Sequence, residues 1–165
     1  VNRLHTSRMR RVALASLLGA AATAFAGTAI AAVPTALSSS DVKVLVAPPS
    51  RGVRIVALWA LDCAYCEENL TALATFQRAH ADVDLVFVAT DPIGQRDALA
   101  ARLAGPDLAS VPSRAYTDAT PDRVNYLIDP EWGGETPRTL VIHADGSRRT
   151  FSGAIDARRI ASLVN

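Results

Sequence analysis

Ile55-Val56-Ala57-Leu58-Trp59-Ala60-Leu61-Asp62-Cys63-Ala64-Tyr65-Cys66-Glu67-Glu68 is the stretch that decides the fold of this chain. The unbroken apolar run from Ile55 to Leu61 suits a strand covered on both faces. Two cysteines three apart follow at once. Glu67 and Glu68 then sit where acids favour the positive end of a helix. Leu70, Leu73 and Phe76, at three-residue steps, carry that helix to about His80. Asp84 to Ala89 is a second run of buried type. Strand, helix and strand in this order form a βαβ unit, whose crossover is right-handed.

Beyond this unit, Asp91 and Pro92 read as the cap and first turn of a second helix, stopped at Gly105-Pro106. Residues 112–120 read as irregular. Thr120-Pro121 opens a short helix with Val124, Leu127 and Ile128 on one side. A turn-rich loop from Asp129 to Pro137 follows, with Trp132 in it. Arg138–His143 and Arg148–Ser152 are β-prone segments around Ala144-Asp145-Gly146-Ser147, a hairpin signal. Asp156 caps a last helix that docks through Ile160, Leu163 and Val164. On the N-terminal side, Pro34 to Ser40 reads as a linker. Val42 to Val46 reads as a short accessory strand broken by Pro48 to Gly52.

Composition narrows the function classes. The 165 residues and 17.4 kDa make about one domain. Half the residues are hydrophobic and 20% are charged, which argues against disorder. Arg3, Arg8, Arg10 and Arg11 lie in a first stretch of forty residues without one acid, so the remainder is mildly acidic. An acidic body without a basic stripe argues against nucleic acid as a partner. Val12 to Val33 carries no charge, and Ala29-Ile30-Ala31 offers a small-residue cleavage site. This is the order of a signal peptide over residues 1–31, an uncleaved anchor being the alternative. The expected organisation is therefore leader 1–31, linker and accessory strand 32–53, and one domain over 54–165. That domain works across the membrane, in the periplasm, where thiols can be oxidised.

Cys63 and Cys66 are the only cysteines, too few for a disulfide framework. At a helix start, cysteines three apart come within disulfide distance. The first faces unpaired N–H groups and the positive helix end, both of which favour the attacking thiolate. Cys63 is thus expected to attack and Cys66 to resolve the mixed disulfide. Competing readings are a metal site, which needs further ligands and has only His80 and His143 in the mature chain, a fixed structural disulfide, and two unrelated buried thiols. Exchange is the favoured reading. Tyr65 is expected to be exposed, Trp59 to form the core and active-site floor, and His143 to lie at the surface. Trp132 suits a substrate-facing surface or a packed lid equally.

Together these residues resemble the thioredoxin superfamily, and the TlpA-like periplasmic thiol–disulfide oxidoreductases in particular. The resemblance is carried by Trp59-Ala60 before Cys63-Ala64-Tyr65-Cys66, by Thr136-Pro137 before the late hairpin, and by the leader; the element order spans residues 54–164. It implies a thioredoxin fold, an α/β structure with a central mixed β-sheet flanked by helices and the cysteines at the N-terminus of the first helix. It further implies a cis bond before Pro137, with the Thr136 backbone turned outward so that a substrate segment adds as a strand. The implied substrate-binding residues are Thr136, Pro137, Tyr65 and Trp59. The implied activity is disulfide exchange on protein cysteines, running as a reductant that keeps the cysteines of apocytochrome c or of a copper site as thiols, and fed by a membrane electron donor. No metal and no organic cofactor are implied, and membrane contact comes only through an uncut leader. The alternatives are a copper-handling chaperone using Cys63 and Cys66, and a non-catalytic binding module of the same fold.

The sequence departs from the family pattern at Ala57, Asp62, Asn69 and Thr71. Ala57 and Asn69 stand where relatives carry acids, so no inherited proton acceptor serves Cys66. Glu131, Glu135 and water are the candidates to replace it. Asp62 places a negative charge beside Cys63, which opposes thiolate formation.

Overall fold

A computed structural model of the chain describes residues 33–117 and 121–165. The leader expected over 1–31 lies outside the described residues. The elements run β1 (Thr35–Leu37), α1 (Val42–Leu45), β2 (Val53–Trp59), α2 (Cys66–Ala79), β3 (Val83–Pro92), α3 (Arg96–Arg102), β4 (Ser113–Tyr116), α4 (Pro121–Ile128), β5 (Arg138–His143), β6 (Arg148–Ser152) and α5 (Ala157–Val164). A 3₁₀ turn, Ile93–Gln95, leads into α3.

One mixed sheet takes the strand order β1-β4-β3-β2-β5-β6. The four strands from β1 to β2 are parallel, and β5 and β6 join antiparallel. β2 therefore lies inside the sheet, which explains its apolar run. Alternation along it feeds two cores. Ile55, Ala57 and Trp59 pack with Leu70 and Leu73 of α2, Leu99 of α3 and Ile160 of α5. Val56 and Leu58 pack with Val42 of α1 and with Val124 and Ile128 of α4 on the other face. This is the thioredoxin fold, with the cysteine pair at the start of α2.

Besides β4 (Ser113–Tyr116), which forms within the segment 112–120 read as irregular, two local expectations are corrected. The accessory strand falls at Thr35–Leu37, in the segment read as linker, and pairs with β4 from Thr35↔Arg114 to Leu37↔Tyr116. Val42–Leu45, read as β-prone, is a single helical turn. Its valines suit a strand, but burial of Val42 and Leu45 with exposure of Val44 follows the helical repeat, and tertiary packing overrides propensity. The second correction concerns Asp91. β3 runs on to Pro92 and α3 starts only at Arg96, so Asp91 caps no helix. Its carboxylate serves the loop after β2 instead, as described below.

Two turns match their sequence signals. His143 and Ser147 close the β5–β6 hairpin through the His143 N–H to Ser147 carbonyl bond at 2.9 Å, with Gly146 at φ +85°. Asp156 caps α5 by accepting from the Arg159 N–H at 2.8 Å. At the entry to β2, Gly52 has φ +63°, and a Cβ there would lie 2.0 Å from the Asp82 carbonyl oxygen. Only glycine fits that close approach.

Candidate active site at the start of α2

β2 delivers the chain to the C-terminal edge of the parallel strands, and a short loop carries it into α2. Several backbone groups of this loop have partners. The Leu61 N–H donates to the Asp91 carboxylate at 3.0 Å, and the Leu61 carbonyl accepts from the Arg102 guanidinium at 3.4 Å. The Thr90 hydroxyl donates to the Trp59 carbonyl at 3.4 Å. The Cys63 N–H returns to the Ala60 carbonyl at 3.3 Å. The end of β3 and helix α3 thus fix the approach to the cysteines.

Cys63 and Cys66 are joined by a disulfide. Their exposure differs. Cys63 is half-buried at the rim, while Cys66, the first residue of α2, is 1% exposed and packs with Trp59, Leu70 and Leu73. Tyr65 precedes the helix without a side-chain cap and is 63% exposed beside the pair. Glu67 and Glu68 occupy the first turn and face solvent. Glu67 lies 3.8 Å from Arg102.

Trp59 was expected both as active-site floor and as a substrate-binding residue. It is 1% exposed and packs in the layer between the sheet and α2. The reason is register: it shares the face of β2 that carries Ile55 and Ala57. Among the described residues its indole N–H has no hydrogen-bond partner.

The loop from Asp129 to Pro137 forms the opposite wall. In the sheet register Leu58 pairs with Arg138, so Pro137 lies at the β2 edge that leads to the cysteines. The Thr136–Pro137 bond is cis. Pro137 is buried and its carbonyl accepts from the Gly153 N–H at 2.9 Å. Thr136 is half-buried, and among the described residues its backbone N–H and C=O have no hydrogen-bond partner. Trp132 is packed rather than substrate-facing: it joins the Val56 and Leu58 core and donates from its indole to the Glu135 carbonyl at 2.7 Å.

One of the candidate proton acceptors is otherwise engaged. Glu135 accepts from the Ser152 hydroxyl at 2.5 Å and lies 3.4 Å from Arg138. The Ser152 bond is the main cause holding its carboxyl below the usual range, so it is a poor proton acceptor. Asp129 is the buried acid of this region and is paired with Arg138. Glu131 is exposed.

Asn69, noted in the sequence only as the absence of an acid, has a task of its own. It is buried on α2, donates to the Gly153 carbonyl at 2.9 Å and accepts from the Ile155 N–H at 3.0 Å. It ties the helix bearing Cys66 to the connection between β6 and α5. Asp91, Asn69 and Arg138 were all missed as site residues, the first two because each works through a partner distant in sequence.

The histidines do not join the cysteines. The His80 ring bonds to the Phe76 carbonyl at 2.8 Å, and His143, half-buried, bonds to the Leu163 carbonyl at 3.1 Å. Among the described residues no three His, Cys, Asp or Glu side chains are placed to hold a metal ion. No helix among them is long and apolar enough to cross a membrane.

A thioredoxin fold with a disulfide-forming Cys-x-x-Cys at the start of α2 is the architecture of thiol–disulfide oxidoreductases. Solved structures agree. The chain is similar to a thioredoxin-related protein from Neisseria meningitidis serogroup B, at 27% identity and TM-score 0.55 over 70% of this chain and 84% of that one. It is similar in fold to a secreted Mycobacterium tuberculosis disulfide oxidoreductase homologous to Escherichia coli DsbE, at 17% identity and TM-score 0.54 over 68% and 80% of the two chains. StoA from Bacillus subtilis shares the fold at 18% identity and TM-score 0.52, over 72% and 86%. No family model and no curated protein matches the sequence. The chain thus has a thioredoxin fold with a bonded cysteine pair at the start of α2.

Proposed function

We propose that this protein exchanges disulfides with protein cysteines outside the cytoplasm, through a mixed disulfide on Cys63, and that it runs as a reductant. The observation that carries the reading is the unequal exposure of a bonded pair: Cys63 at the rim and Cys66 sealed beneath it.

In the reduced protein the Cys63 thiolate attacks one sulfur of a substrate disulfide. The substrate S–S bond breaks, one substrate sulfur leaves as thiolate, and the other stays bonded to Cys63. Cys66 then gives its proton to water and attacks the Cys63 sulfur. The Cys63–Cys66 bond forms and the second substrate thiolate departs. Two electrons pass to the substrate, and the cysteines hold them beforehand, so the chemistry needs no organic cofactor and no metal. A membrane donor of two electrons restores the dithiol. The leader read over residues 1–31 supports work in the periplasm, and membrane attachment follows only if it is uncut.

Substrate docking uses the Thr136 edge. Its free N–H and C=O suit pairing with an extended segment of substrate. Pro137 flanks that edge, and exposed Tyr65 offers an aromatic surface on the other side of the sulfurs. The substrates fitting this reading are disulfides formed by the cysteines of apocytochrome c or of a copper site.

The test is covalent trapping. The Cys66→Ser variant accumulates disulfide-linked partners through Cys63, and Cys63→Ser accumulates none. Equal trapping by both variants, or by neither, overturns the assignment.

A further inference from the structure

We infer that Glu135 and Ser152 are positioning residues that hold the Thr136 main chain in the pose that receives an incoming polypeptide. The inference rests on the exchange reading above and goes beyond it by naming what builds the docking edge.

The argument starts from what lies on either side of Thr136. On one side, the Glu135 carbonyl is fixed by the Trp132 indole at 2.7 Å. The Glu135 carboxylate is fixed separately, by the Ser152 hydroxyl at 2.5 Å and by Arg138 at 3.4 Å. On the other side, the Pro137 carbonyl is fixed by the Gly153 N–H at 2.9 Å. Thr136 stands between two pinned neighbours, and among the described residues its own N–H and C=O are unpaired. A pairing edge held this way loses little freedom when a chain docks on it.

The anchor reaches into the body of the fold. Ser152 ends β6 directly opposite Arg138 in the sheet register, and Arg138 donates to its hydroxyl oxygen at 2.8 Å. Arg138 is itself locked against Asp129, the two side chains being 11% and 10% exposed. The Glu135 side chain is 52% exposed. Exposed charged contacts contribute little to global stability. The main effect of the exposed Glu135 contact is therefore local: it sets where the loop stands relative to the sulfurs.

The test compares two reagents with one leaving group. The reduced Cys66→Ser protein is mixed either with 2,2′-dithiodipyridine or with a short extended peptide whose single cysteine is activated as its 2-thiopyridyl disulfide. In both cases the Cys63 thiolate attacks sulfur, a new disulfide to Cys63 forms, and pyridine-2-thione leaves with the electron pair. Cys63 reactivity is common to both, so the ratio of rates reads main-chain docking.

The peptide is expected to react faster than the small reagent, relative to a free thiol control. Glu135→Ala and Ser152→Ala each lower that preference about fivefold or more, as expected for loss of one or two positioning hydrogen bonds. The small-reagent rate stays within about twofold in these variants, because the Glu135 and Ser152 side chains bond to each other and to Arg138 rather than to Cys63. Glu135→Gln retains most of the preference, since its carboxamide oxygen still accepts from Ser152. Unchanged preference in both alanine variants overturns the inference, and so does absence of any preference in the parent. If neither reagent forms an adduct on Cys63, the exchange reading itself falls and takes this inference with it.

Discussion

The Asn69 carboxamide oxygen accepts the Ile155 N–H at 3.0 Å, joining the helix that carries Cys66 to the segment that leads into α5. The same side chain donates to the Gly153 carbonyl at 2.9 Å, and Gly153 in turn bonds to Pro137. One buried amide therefore links both walls of the site. Asn69→Ala leaves the buried Ile155 N–H and the half-buried Gly153 C=O without their partner and is expected to cost about 2 kcal/mol. Urea unfolding of the oxidised protein measures it. A loss below about 0.5 kcal/mol, the range of surface substitutions, contradicts the role.

Gly52→Ala is expected to destabilise the fold by about 2 kcal/mol or more. The added Cβ meets the Asp82 carbonyl, which also receives the Val53 N–H at 3.1 Å, and φ is positive. The register of β2 against β3 begins here, at Val53↔Val83. A thermal scan of the variant checks it, and an unshifted Tm is the contrary result.

Asp91→Ala removes the acceptor of the Leu61 N–H and frees the loop ahead of Cys63. The expected cost is about 1–3 kcal/mol, the usual range for a hydrogen bond to a charged group. Amide hydrogen exchange of Leu61 should rise in Asp91→Ala and stay closer to the parent in Asp91→Asn, which keeps an acceptor oxygen. Equal protection in the parent and Asp91→Ala would show that the carboxylate does not hold this loop.

Glu135 gives stability a pH dependence of known sign. The Ser152 hydroxyl, first, holds its carboxyl below the ordinary range in the folded protein, with Arg138 acting in the same direction. A depressed folded pKa stabilises above the unfolded value and is lost as pH falls through the folded one. Unfolding free energies of the parent and Glu135→Gln should therefore differ most near neutral pH. They should converge as pH drops below about 4, the ordinary carboxylate range. A gap that widens on acidification would contradict the sign.

The elements nearest the site were legible because their signals are local. The run from Ile55 to Leu61 and the helical steps of Leu70 and Leu73 report burial directly, and the β5–β6 hairpin is announced by Asp145-Gly146. Val42–Leu45 was misread because β-branched residues there form one helical turn, chosen by packing against α4. Asp91 and Asn69 were illegible as site residues because their partners lie 30 and 86 residues away. Arg138 read only as the start of a strand. The cis bond before Pro137 came to the sequence reading through resemblance alone, as X–Pro bonds are cis in only about 5–6% of cases.

The central claim is that Cys63 and Cys66 interconvert between disulfide and dithiol within the range of biological thiols. Equilibrating the protein across dithiothreitol and glutathione buffers, alkylating free thiols and weighing the products by mass spectrometry tests this directly. The account predicts one two-electron transition, lying nearer thioredoxin's potential of about −270 mV than the oxidant DsbA's at about −120 mV. A pair locked in one state at every buffer poise would contradict it.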